Sequence, residues 1–280
     1  MARLFGYFAN QSDRIRCALA YEGDAVSSNT AQRADGWGVG SYQTGEVLLR
    51  RKPTEPRETI QVADLVQGLR TDCAVVHLRS ATVGARSLEN THPFRYRQWL
   101  FAHTGSIPGF VAQRAALLEQ IPEHLARNVR GETDSEVFFH LILGEIHRTG
   151  RLDDPELDRA SIVGAVRGAV VAIDATAKRF EQPPAVLNCI LTNGHVVLAL
   201  RRGKPMNWMR RLGIRDCAVC RKRPDVSGRE ARRVDHETLK YVLITSDHTE
   251  TAEGWFEVPN EPNGAALVVD RSLEAHVTTF

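Results

Sequence analysis

The tightest constraint on the fold is a junction past the middle of the chain, where an amphipathic helix runs into a hairpin of apolar strands. Ile162, Val166, Ala169, Ile173, Ala177 and Phe180 recur at spacings of four, three, four, four and three, which puts one apolar stripe on a helix. Pro183-Pro184 stops that helix, because proline has no amide hydrogen to donate and clashes with the preceding turn. Val186 to Thr192 and Val196 to Leu200 then flank Asn193-Gly194-His195, a strong signal for a tight hairpin turn. Two strands joined this way are antiparallel, so the sheet behind the helix is not built from regular βα alternation.

The flanking sequence fits the same architecture. Arg3 to Ala9, Gly38 to Tyr42 and Glu46 to Lys52 read as strands separated by glycine-marked turns. Thr59 to Leu69 has near-helical spacing, and Cys73 to Arg79 and Gln98 to His103 are apolar runs of strand length. Thr133-Asp-Ser-Glu136 reads as a capping box that opens a helix running to about His147. Lys240 to Ser246 and Ala265 to Asp270 add two more strands. Strands, helices and strands again predict an α+β chain of antiparallel sheets layered with helices.

Composition excludes several classes. The 280 residues suit one large domain, 1–280, and a hydrophobic share of 42% with 25% charged residues excludes global disorder. With 36 basic against 34 acidic residues the net charge is +2, so no electrostatic partner is implied by the whole chain. No uninterrupted apolar run approaches a membrane span, and the first ten residues lack a signal-peptide core, so a cytoplasmic protein with no membrane partner is expected. Five cysteines in a chain of this size are expected to be free thiols.

One segment stands apart, a basic arm from about 203 to 238 with little periodicity, read as an insertion. Trp208 is its lone aromatic residue, so base stacking has little support and nucleic acid is not expected as a partner. Cys217-Ala-Val-Cys220 has the spacing of half a zinc site that His236 or His248 would extend, but a second such pair is absent. The bland reading, two thiols and no metal, is adopted.

Six strings carry a resemblance. Arg3-Leu-Phe-Gly-Tyr7, Asp35-Gly-Trp-Gly38, His77-Leu-Arg79 with Ser80-Ala-Thr82-Val-Gly84, Asn90-Thr-His92-Pro93-Phe94, Phe101-Ala-His103-Thr104-Gly105 and Gly131-Glu-Thr133-Asp134-Ser135-Glu136 occur in this order over the first half of the chain. Together they resemble the class II, N-terminal-nucleophile glutamine amidotransferases, in particular the single-domain branch that includes the γ-glutamyl amidohydrolase of ergothioneine biosynthesis. The resemblance implies a four-layer αββα sandwich, two antiparallel sheets between helical layers. It implies no cofactor, and a glutamine or γ-glutamyl small molecule as ligand. A synthetase or an active amidotransferase is the kind of protein partner it suggests.

Two catalytic positions depart from the family pattern. Where the family carries the cysteine whose thiolate attacks the glutamine γ-amide, this chain has Ala2, and a methyl group is no nucleophile. Where the family's oxyanion hole pairs an asparagine amide with the next backbone N–H, this chain has Thr104 before Gly105. The recognition positions match: Arg79 for the α-carboxylate of glutamine, Thr82 as a pocket hydroxyl and Asp134 for the α-amine. His77, Asn90, His92 and His103 match positions around the pocket and are expected to frame it. Two readings follow: a catalytically impaired homologue that binds a γ-glutamyl ligand or serves as a partner subunit, or an active amidotransferase or amidohydrolase whose nucleophile was changed from Cys to Ala.

Overall fold

The computed structural model describes residues 2–23, 32–55, 58–80, 84–220, 234–246 and 253–280. Their strands are β1 (Arg3–Ala9), β2 (Gln32–Arg33), β3 (Gly36–Gln43), β4 (Glu46–Pro53), β5 (Thr59–Ile60), β6 (Cys73–Arg79), β7 (Phe94–Tyr96), β8 (Trp99–Ser106), β9 (Val186–Thr192), β10 (Val196–Arg201), β11 (Asn207–Ile214), β12 (His236–Thr245), β13 (Trp255–Glu257), β14 (Ala265–Asp270) and β15 (Ala275–Thr279). Their helices are α1 (Ile15–Tyr21), α2 (Val62–Leu65), α3 (Phe110–Leu118), α4 (Glu123–Ala126), α5 (Asp134–Arg148) and α6 (Arg159–Arg179).

Two antiparallel sheets face each other. One has the order β13-β11-β12-β1-β6-β3-β4, the other β15-β14-β10-β9-β8-β7, and β2 pairs with β5 apart from both. Side-chain alternation along β1 shows why these strands read as continuous apolar runs. Leu4 and Phe8 point into the apolar layer between the sheets, with Leu100, Ile190 and Leu267, whereas Phe5, Tyr7 and Ala9 point outward under α1 and α2. β8 behaves alike: Leu100 and Ala102 face the first sheet, and Trp99 and Phe101 face α5 and α6. Three apolar clusters thus separate four layers, helix, sheet, sheet and helix.

The helical stripe behaves as its spacing requires. Ile162, Val166, Ala169 and Ile173 of α6 pack with Phe138 and Ile142 of α5 against Leu187, Leu191 and Val268 of the second sheet. Asp158 caps α6 by accepting from Ser161 N–H at 2.8 Å, and Thr133 caps α5 by accepting from Glu136 N–H at 3.3 Å. Among the described residues α6 is also the one helix long and apolar enough to span a bilayer by length and composition, and here that apolarity fills the core.

The structure departs from the sequence expectations in several places, among them the additional strands β2, β7, β13 and β15. The helix expected over 59–69 shrinks to α2 behind the short strand β5. Helices α3 and α4 were not anticipated. Asn207–Ile214, expected inside the basic arm, is strand β11, paired with both β12 and β13. Residues 221–233, which hold much of the arm's charge, lie outside the described residues, as does His248.

Glycine marks the point where the loop before β7 presses on β3. A Cβ at Gly38 would lie 2.0 Å from the His92 carbonyl oxygen, whereas a Cβ at Gly164, inside α6, would meet nothing within 4 Å. Gly38→Ala is therefore expected to destabilise by at least about 2 kcal/mol, and Gly164→Ala to stabilise by about 0.5–1 kcal/mol. Urea unfolding of the two variants beside the parent checks this pair; equal midpoints would contradict the packing described.

Candidate active site

The site forms where three strands end. β1 lies between β6 and β12, with Leu4 opposite His77 and Arg3 opposite Leu78. One step further along this register puts Ala2 level with Arg79, the last residue of β6. The strand is clasped on its other side too: Leu4 N–H donates to Ser246 Oγ at 2.9 Å, and Ser246 N–H donates to the Leu4 carbonyl at 3.1 Å. Arg79 is buried, and its Nη2 donates to the Gly84 carbonyl at 3.1 Å. Burial weakens its hold on the proton while nearby Asp35 strengthens it, and a guanidinium stays charged under both influences.

Asp134 opens α5 from the second layer of helices. Its Oδ2 accepts from Ile107 N–H at 2.9 Å and its Oδ1 from the Ser135 hydroxyl at 3.2 Å. Ser135 Oγ also lies 2.8 Å from His103 Nδ1 on β8. The aspartate therefore fixes the stretch that follows Gly105, and a carboxylate oxygen can accept more than one hydrogen bond. The capping box closes on one side only, because the Glu136 carboxylate turns to the N–H groups of Arg130 and Gly131, at 3.1 and 2.6 Å.

Asn90 joins the arginine side to the aspartate side. Its Nδ2 donates to the Ala85 carbonyl at 3.0 Å, and its Oδ1 accepts from Glu132 N–H at 2.9 Å. Cβ atoms at Gly84 and Gly131 would approach this amide to 2.9 and 2.4 Å, so both loops close tightly on it. Asn90 is thus a clamp between the loop after β6 and the segment leading into α5.

On β8, Thr104 pairs with Asn188 and Gly105 with Leu187. Gly105 tolerates no side chain, since a Cβ there would lie 1.9 Å from the Val186 carbonyl oxygen. Beside it is a group that the sequence reading missed. Asn188 Oδ1 accepts from the N–H groups of Arg202 and Lys204 at 3.2 and 3.1 Å, and the turn so formed brings Lys204 Nζ to 3.5 Å from Thr104 Oγ1. No local signal marks this lysine, because its partner is 100 residues away. Thr82 lies outside the described residues.

His77 and His92 pack with ring centroids 4.2 Å apart and planes tilted by 43°, and His92 meets Phe94 edge-on at 4.6 Å. All four ring nitrogens of the pair are buried with no hydrogen-bond partner among the described residues. Burial, then His103 and Arg79, push His77 down to about 3, and burial with His77 beside it pushes His92 well below its ordinary value. Both rings are neutral at pH 7. A cavity of about 650 Å³ lined by Tyr42, Asp72, Asn193 and Arg271 opens at the opposite ends of these strands and takes in none of the predicted site residues.

The sequence profile of the class-II glutamine amidotransferases matches residues 1–272. The chain belongs to that family. It is 26% identical over 181 residues to the probable glutamine amidotransferase DUG3 of Saccharomyces cerevisiae, covering 60% of this chain and 51% of that protein. To the putative glutamine amidotransferase YafJ of Escherichia coli it is 29% identical over 176 residues, 61% of each chain. The chain thus spans about half to three-fifths of the length of these relatives. A shorter match, 32% over 89 residues, 31% of this chain and 38% of the relative, is to the gamma-glutamyl-hercynylcysteine sulfoxide hydrolase of Mycobacterium tuberculosis. A glutamine aminotransferase class-II domain protein from Silicibacter pomeroyi superposes with a TM-score of 0.59 over 99% of both chains at 18% identity, a likeness of fold. The class-II glutamine amidotransferase fold of this chain is accordingly the α+β sandwich expected from the sequence.

The neutral histidines give the amidotransferase fold a defined acid sensitivity. His77 sits at about 3 when folded against an ordinary 6.5, so unfolding takes up a proton at any pH between the two. Its stabilising share is complete above about pH 6.5 and is lost as pH falls toward 3, by up to about 1.4 kcal/mol per pH unit. Urea unfolding between pH 7 and 4.5 is expected to show a shallower pH slope in His77→Leu than in the parent. Identical slopes would mean that His77 is not a buried neutral ring.

Proposed function

We propose that this class-II amidotransferase homologue binds L-glutamine or a γ-glutamyl compound and does not hydrolyse it. The observation that supports the reading is the β1–β6 register, whose terminal pair is Arg3–Leu78: continued by one residue, it would bring position 2 level with Arg79. Arg79 would take the ligand's α-carboxylate through two parallel charge-assisted bonds, Asp134 its α-amine through its carboxylate oxygens, and Thr82 would line the pocket. The scissile γ-amide would then reach position 2, where the family's cysteine thiolate adds to the amide carbon and expels ammonia. The alanine methyl has no lone pair to offer, so no thioester forms and the amide persists.

The oxyanion side supports the same reading. Gly105 keeps a backbone donor, but Thr104 offers a short hydroxyl in place of an asparagine amide, with the Lys204 ammonium behind it. One lost oxyanion donor costs about 10²–10³ in rate. A binding or partner-subunit role, beside a synthetase or an active amidotransferase, fits two altered catalytic positions with intact recognition positions. The soluble, cytoplasmic setting expected from the sequence belongs to this reading. The rival reading, an active amidotransferase or γ-glutamyl amidohydrolase in which Cys became Ala at one position, is favoured by the retained Arg79, Asp134 and Gly105; Thr104 counts against it, since a single exchange at position 2 would leave the oxyanion string unchanged.

Release of ammonia and glutamate from L-glutamine and γ-glutamyl peptides separates the two. The parent is expected to be inactive, Ala2→Cys to be slow, and Ala2→Cys with Thr104→Asn to be faster by about 10²–10³. Turnover by the parent chain would overturn the proposal. Full activity from Ala2→Cys alone would favour the rival.

A further inference from the structure

A second cluster of reactive side chains lies on the outer face of the first sheet, away from the site just described. Cys17 projects from α1, Cys217 and Cys220 occupy the turn after β11, and His236 is the first residue of β12. One potential ligand atom from each of the four lies within 4.8 Å of those from the other three, and the Cys17 and Cys220 sulfurs are 3.5 Å apart. From this arrangement we infer a tetrahedral Cys₃His zinc site that fastens the base of the basic arm to α1.

The distances suit the ion. Zn–S bonds of about 2.3 Å and Zn–N bonds of about 2.0–2.1 Å set the ligand atoms of a tetrahedral site roughly 3.5–3.8 Å from one another. Closing the cluster on one ion therefore needs side-chain movement of about 1 Å at most. A soft, thiolate-rich donor set selects zinc over magnesium or calcium, which prefer oxygen ligands.

Burial gives an independent reason. Cys17, Cys217 and His236 are buried, Cys220 is half-buried, and Ile15, Leu19, Ile214 and Leu239 belong to the same apolar cluster. His236 is only 9% exposed, and its Nε2 is buried with no hydrogen-bond partner among the described residues. An orphaned imidazole nitrogen inside an apolar cluster is costly, and three thiols beside it are weak partners. A cation bound there would satisfy all four groups together. Three thiolates and Zn²⁺ leave one net negative charge, and the charged groups within electrostatic reach of His236 are of both signs: Arg14, ion-paired with Asp13 at 2.8 Å, and Asp235.

The backbone is already set for such a site. Ile214 pairs with His236, and beyond that pair Cys217 N–H donates to the Val234 carbonyl at 2.9 Å. The two chain segments leading into and out of 221–233 are thereby held side by side, and the Cys-x₂-Cys turn presents both sulfurs toward Cys17. The sequence reading, which adopted free thiols and no metal, had the pair at 217 and 220 but no means of seeing that a helix 200 residues earlier supplies the third sulfur.

The test is zinc content of the full chain purified in reducing buffer after growth with added zinc. About one zinc per chain is expected, falling at least about tenfold in Cys217→Ser/Cys220→Ser and unchanged in Cys189→Ala, whose thiol lies in the other apolar layer. Should the double variant fail to fold, Co²⁺ titration of the chelator-stripped parent decides, with the strong visible absorption of tetrahedral cobalt thiolate expected at about one equivalent. A parent with no bound zinc and no cobalt band, zinc retained by a folded double variant, or a Cys17–Cys220 disulfide in reducing buffer would each overturn the site.

Discussion

The double ladder around β1 is the constraint on which the other features depend. Paired with β6 on one side and β12 on the other, and buried along its length, this strand has no freedom to slide. A slip of one residue would turn Leu4 and Phe8 out of the layer between the sheets and drive Phe5 and Tyr7 into it. The pairing of Arg3 with Leu78 is consequently fixed by packing energy spread over the whole sheet, and the position before Arg3 is the one that would continue it toward Arg79. Chemistry at that position is then a matter of which side chain the chain carries there, and the scaffold would place a thiol or a methyl equally well.

The surroundings of Arg79 are held by polar contacts instead. The Asn90 amide clamps the loop after β6 to the segment leading into α5, and Asp134 reaches across to the backbone that follows β8. Three loops from two sheets and a helix are thus tied by a few hydrogen bonds in a region where glycines permit close approach. The charges at the site include the Arg79 guanidinium with Asp35 and Arg86 close by, the Asp134 carboxylate and the Lys204 ammonium. A zwitterionic ligand with an α-amine and an α-carboxylate is complementary to Asp134 and Arg79, which is the electrostatic content of the proposed glutamine pocket.

Much of this was legible in the sequence because burial on both faces leaves a plain mark. β1, β6, β8, β9 and β10 are buried, largely apolar runs, and the α6 stripe and the Thr133 cap follow local rules that tertiary packing did not override. α3 was not legible: it starts from Gly109 with a positive φ and no side-chain cap, and Val111 in its first turn is 85% exposed. β11 was hidden because exposed Arg210 and Leu212 alternate with half-buried Arg211, which pairs with Glu22 on the other face, so both faces carry a polar residue and the period of two is masked. Glu136 shows how a motif can be read correctly and still used differently, since its carboxylate serves the 130–131 loop and leaves the cap half made. Lys204 beside Thr104, and Cys17 beside Cys217, are pairings over long separations that no local pattern encodes.

The central claim is that the chain keeps a γ-glutamyl pocket at the site while lacking the group that attacks the amide. A crystal structure of the chain in saturating L-glutamine tests it most directly. Intact glutamine with its α-carboxylate on Arg79, its α-amine at Asp134 and its γ-amide facing Ala2 is the predicted result. An empty site at saturation, or glutamine bound elsewhere with Arg79 and Asp134 engaged only within the protein, would contradict the account.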